Sequence, residues 1–88
     1  GNGMVKSPLS ISIEVQRALG RIFAEGIYKE VRVQLAPEVF HQVNDLDAEF
    51  IHQIEKKYRS VVHLVKEEKF QPEEVKYVSV KTGDSIRP

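Results

Sequence analysis

The sequence predicts a single small α+β domain, ordered helix–strand–helix(–helix)–strand–strand, with a three-stranded mixed sheet packed by helices on one face. Three observations carry this. Apolar residues fall at Ile11, Val15, Ala18, Leu19 and Ile22, one stripe of a helix. Residues 30–35 alternate strictly, with Val31, Val33 and Leu35 against Arg32 and Gln34. Two further apolar runs, 61–65 and 75–80, have strand length and follow a helix-length amphipathic stretch. A chain of 88 residues has room for one core.

The first helix is expected over 8–25. Ser7 can accept from the orphan N–H groups of the first turn, Pro8 fits the first helical position, and Gly26 suits a C-terminal cap. Gly20 is a weak point within it. Ala36-Pro37 ends the first strand and starts a short helix of 37–43, with Val39, Phe40 and Val43 inward. The run Asn44-Asp45-Leu46-Asp47 breaks the pattern with capping residues. A longer helix of 47–59 follows, with Phe50, Ile51, Ile54 and Tyr58 on one face and a basic last turn suited to the helix dipole. The strand at Val61–Val65 is apolar on both faces apart from His63 and reads as central. The helices before it favour a right-handed crossover, which makes the first two strands parallel. Val75–Val80 reads as an outer strand. The boundaries are then a linker over 1–7, the domain over 8–80 and a flexible tail over 81–88, with a turn at Thr82-Gly83-Asp84.

Composition bears on several function classes. Thirteen basic residues balance thirteen acidic ones, whereas a free-standing nucleic-acid module usually carries a basic excess, which counts against strong RNA binding by this chain alone. The absence of cysteine excludes disulfides and thiolate sites and fits a cytoplasmic protein. No apolar run approaches the roughly 20 residues of a membrane span, and no signal-peptide layout is visible. Neither a Ser-His-Asp arrangement nor a glycine-rich phosphate loop appears. Asp45 and Asp47 read as helix caps rather than metal ligands. His41, His52 and His63 are spaced so that no two share adjacent helical turns, so they read as solvated or satisfied side chains. No catalytic, cofactor-binding or metal-ligating residue is assigned.

One segment points further. Gly1, Gly3, Val5, Lys6, Ser7, Pro8, Ser10, Ser12, Ile13 and Glu14 match in order the segment that follows the Cys-x-x-Cys zinc hook in ribonuclease E/G proteins, and Arg17-Ala18-Leu19 continues the match. Glu30-Val31-Arg32-Val33 with Pro37-Glu38-Val39, Glu55-Lys56-Lys57-Tyr58 and Pro72-Glu73-Glu74 resemble later parts of that family's C-terminal small domain. The resemblance covers residues 1–80 and is most specific at its start. Gly1-Asn2-Gly3 reads either as part of it or as a cloning remnant before a native Met4. Two departures stand out: Arg59 where the family tends to have glycine after the tyrosine, and the Asn44–Asp47 run.

The resemblance implies a non-catalytic assembly domain of an endoribonuclease of RNA processing and decay. The parent enzyme would use magnesium, held by aspartates upstream, and a zinc link; this segment would hold neither. Its partners would be other domains or protomers of the parent, and RNA through the parent. Oligomer contacts are expected on the outer strand (Tyr77, Val78, Val80) or the first helix (Leu9, Phe23). Arg17, Arg21, Lys56, Lys57 and Arg59 are candidate contacts to an RNA backbone. The alternatives are a stand-alone KH-like RNA-binding module, which would want a Gly-x-x-Gly clamp that this chain lacks, and a generic protein-interaction domain.

Overall fold

A computed structural model describes residues 6–88. It is α+β, with three α-helices and a mixed four-stranded sheet among the described residues. The order is α1 (Pro8–Ala24), β1 (Glu30–Leu35), α2 (Pro37–His41), a π-helical turn (Gln42–Leu46), α3 (Ala48–Tyr58), β2 (Val61–Lys66), β3 (Val75–Ser79) and β4 (Ser85–Ile86). The expected linker lies in part, at residues 1–5, outside the described residues.

Local chemistry explains the boundaries. The Ser7 hydroxyl accepts from the Ser10 amide at 3.2 Å, and Pro8 fills the first helical position. Gly26 leaves α1 at φ 76°, a conformation that costs glycine nothing. Pro37 opens α2, as the sequence indicates. The expected break at Asn44–Asp47 is instead bridged by the π turn, so α2 runs into α3 with only Asp47 between the turn and α3.

The sheet corrects four expectations. Its strand order is β2-β1-β3-β4, so it has four strands rather than three. β2 is an edge strand, not a central one. β3 lies between β1 and β4, so it is not the outer strand. Residues 81–88, expected as a tail, contribute Ser85 and Ile86, which pair with Val78 and Tyr77. The apolar run 61–65 misled because apolarity on both faces records neighbours above and below a strand, not beside it. β1 and β2 are parallel, as expected, with Val31 level with Val62 and Val33 level with Leu64.

The helices cover one face of the sheet. Val31, Val33 and Leu35 meet Val15, Leu19 and Ile22 of α1 and Val39 and Val43 of the second helical segment in one buried core. Residues at alternate positions, Glu30, Arg32 and Gln34 of β1 among them, face the uncovered side.

Candidate functional site

Helices α1 and α3 run side by side in the same direction. Two contacts 35 residues apart in sequence fix this. The Ser12 hydroxyl donates to Asp47 Oδ2 at 2.6 Å, and the Phe23 and Tyr58 rings lie 6.2 Å apart at the other end. The Asp47 carboxylate also accepts from Gln42 Nε2, and Gln16 Nε2 donates to the Ser12 oxygen. Asp47 was expected to cap α3, but its side chain makes no cap hydrogen bond. It ties α3 to α1 instead.

Four large apolar side chains flank this seam on its outer side. By the 3.6-residue repeat, Leu9 and Ile13 fall beside Ser12 and Gln16, turned from the sheet, and Phe50 falls on the corresponding side of α3; Leu46 ends the π turn that leads into α3. Leu9, Ile13, Leu46 and Phe50 are 51%, 41%, 73% and 51% exposed. Scattered exposed apolar residues are ordinary, but a group rimming one groove marks a surface for packing.

The expected oligomer contacts divide. Leu9 belongs to this surface. Phe23 is 2% exposed and Tyr77 9%, so both belong to the core and neither offers a contact. Phe23 lies four residues beyond Leu19 on the same helical stripe, a spacing that already marks it as inward. Val78 is half-buried on the uncovered face of the sheet, and Val80 is half-buried just past the end of β3. Ile13, Leu46 and Phe50 were not picked out from sequence. Ile13 and Phe50 look like core residues until the helix partners are known.

The basic residues also divide. Arg17 and Arg21 line a 370 Å³ cleft with Tyr77, Glu14 and Glu73, on the flank of α1 away from α3. Neither guanidinium takes part in an ion pair among the described residues. Glu14 is held by Lys6 at 2.8 Å, a contact that pushes the lysine pKa up. Burial pushes the Tyr77 phenol up to about 12. Lys56 and Lys57 stand on the last turn of α3, where Lys57 Nζ lies 5.3 Å from the Tyr58 ring centroid. The fold therefore separates Arg17 and Arg21 from Lys56, Lys57 and Arg59.

Arg59 has a structural place. It adopts φ 50° and ψ 53°, between a 3.4 Å bond from its own N–H to the Lys56 carbonyl and a 2.9 Å bond from the Ser60 N–H to the Glu55 carbonyl. This is the left-handed residue of a Schellman closure, the position glycine usually takes.

Each histidine meets a different carboxylate: His41 with Asp45 at 3.1 Å, His52 with Glu55 at 3.1 Å, and His63 with Glu30 at 2.6 Å. Hydrogen bonds from His41 and then Asn44 hold the exposed Asp45 carboxyl below its usual range. Among the described residues no three His, Cys, Asp or Glu side chains converge as a metal site. No helix is long and apolar enough to cross a membrane among the same residues.

No family model matches this chain, and no curated protein matches it.

Proposed function

We propose that this chain is a non-catalytic assembly domain of a ribonuclease E/G-type endoribonuclease of RNA processing and decay, packed against other domains or protomers of its parent. The observation that carries the packing role is the apolar rim of the α1–α3 seam, Leu9, Ile13, Leu46 and Phe50. The parentage rests on the sequence resemblance, chiefly Lys6-Ser7-Pro8 and Ser10 through Glu14. Its departure at Arg59 falls at a left-handed position, so the chain keeps the backbone that a glycine there would take. Magnesium and zinc would belong to parts of the parent outside this segment, and a cytoplasmic setting follows from the parentage.

Light scattering of the purified domain beside an RNA gel shift tests the reading. Self-association without RNA binding supports it. Tight RNA binding by the monomer contradicts it and favours the KH-like module.

A second reading has its own observation. Arg17 and Arg21 line the Tyr77 cleft beside Glu14 and Glu73 and take part in no ion pair among the described residues, which leaves both guanidinium groups for a backbone phosphate at the mouth of the cleft. Arg17→Glu with Arg21→Glu would then weaken RNA binding by the parent and lower its salt dependence. Lys56→Glu, Lys57→Glu and Arg59→Glu test the other basic group in the same assay, and unchanged binding removes either group from the RNA path.

A further inference from the structure

We propose that the cleft between the α1–β1 connector and the β3–β4 turn binds a small phosphate monoester that carries an apolar body. This cleft shares no lining residue with the Arg17–Arg21 cleft or with the apolar seam, and the proposal is independent of the assembly role.

Two turns build the cleft. Gly26 turns the chain out of α1, and Ile27, Tyr28 and Lys29 then lead into β1. The turn from β3 to β4 is closed by the Gly83 amide, which donates to the Ser79 carbonyl at 2.7 Å. A 3.2 Å bond from the Val80 amide to the Glu30 carbonyl holds the two turns side by side. Between them lies a cleft of 540 Å³, with Ile27, Tyr28 and Lys29 on one side and Ser79, Lys81 and Thr82 on the other. Small-molecule sites typically have a volume of roughly 300–1,000 Å³.

The lining is rich in donors that nothing in the chain uses. Lys29 and Lys81 are exposed and enter no ion pair among the described residues. The amides of Ile27, Tyr28, Lys29 and Lys81 donate to no backbone carbonyl among the same residues. Ser79 is buried on the helix side of the sheet, level with Val31. Its hydroxyl accepts from the Thr82 amide at 3.4 Å, which leaves its own proton to give. Glu30 is the one acidic residue in the lining. It alternates to the opposite, uncovered face, where its carboxylate meets His63 at 2.6 Å, so it neutralises neither lysine.

Charge selects the ligand. Two ammonium groups without a counter-charge match a dianion rich in acceptor oxygens. A phosphate monoester carries about −1.5 to −2 at neutral pH and presents three such oxygens. A carboxylate or a backbone diester carries a single charge. Ile27 sets the other half of the ligand: it is 71% exposed, next to the half-buried Tyr28. An apolar group laid against these side chains takes that surface out of water, which inorganic phosphate cannot do.

Amide chemical shifts of the whole chain during titration with phenyl phosphate test the site. Saturable shifts are expected at residues 27–29 and 81–82. Methyl phenyl phosphate, a diester with the same ring and a single charge, is expected to bind about tenfold more weakly. Lys29→Gln with Lys81→Gln is expected to weaken phenyl phosphate by about tenfold, with circular dichroism unchanged. Inorganic phosphate is expected to bind more weakly than phenyl phosphate, and Ile27→Ser to narrow that gap. No saturable shift at millimolar concentration, or shifts confined to Arg17, Arg21 and Tyr77, overturns the site. A double variant that binds as the native chain does overturns the role of the lysines. Equal binding of the diester overturns the match to two charges and points to a nucleic-acid backbone. Equal binding of inorganic phosphate overturns the apolar half. The assembly role stands or falls on self-association, which none of these titrations reads.

Discussion

The Ser12 hydroxyl, fully buried, donates to the Asp47 carboxylate at 2.6 Å and fastens the second turn of α1 to the residue that precedes α3, across 35 residues of sequence. A short bond to a charged acceptor in a water-poor seam is stronger than a neutral one. Ser12→Ala leaves the buried carboxylate with Gln42 as its remaining side-chain donor. We expect a loss of about 1–3 kcal/mol. A double-mutant cycle with Asp47→Ala should give a coupling of at least about 0.5 kcal/mol in denaturant unfolding. Additive effects would show that the bond ties nothing.

The left-handed residue at the end of α3 offers the opposite sign. Arg59 holds φ 50° without the freedom of glycine. Arg59→Gly removes that strain while keeping the closure and should stabilise the domain by about 0.5–1 kcal/mol. For a domain of this size that is a rise in Tm of a few degrees. Arg59→Val should lower it. The same substitution removes one of the five candidate RNA-contacting cations, so unchanged RNA binding by the parent would assign Arg59 to structure alone.

Leu19 is fully buried where α1 meets β1. Leu19→Ala should cost about 2–5 kcal/mol in urea unfolding. That is a large share of the roughly 5–15 kcal/mol by which small domains are stable. Phe50→Ala, at a residue 51% exposed, should cost far less in the isolated domain. A comparable loss would place Phe50 in the core rather than on a packing surface.

Burial raises the Tyr77 phenol from 10.0 to about 12. The folded chain then holds a proton that the unfolded chain gives up, so stability is complete below the unfolded value and falls as pH rises through this window. The decline attributable to Tyr77 is on the order of 3 kcal/mol. Tyr77→Phe should flatten the fall between those pH values, and phenolate absorbance should show one tyrosine titrating late. A phenolate step that disappears in Tyr77→Phe and lies near 10 in the native chain would contradict the burial.

Elements whose signal is local were legible in the sequence. Ser7-Pro8, Gly26, the alternation at 30–35 and Pro37 each specify a backbone conformation within a few residues, and each appears as expected. The parallel pairing of β1 and β2 followed from the length of the connection. What failed depends on distant partners. The edge place of β2 is set by which strand lies beside it, and β4 is two residues long, too short for a pattern. The apolar surface was legible only at Leu9, because Phe50 shares its helix with Ile51 and Ile54 and reads with them as core. Only the line of α1 against α3 separates it from them.

Sedimentation velocity of the purified chain and of its Leu9→Glu, Phe50→Glu variant, over a series of concentrations, tests the packing role most directly. The account predicts that the native chain associates, that the variant's association is weakened at unchanged helical content, and that added single-stranded RNA does not sediment with either. A native chain that stays monomeric throughout, or a variant that associates as strongly as the native chain, would contradict it.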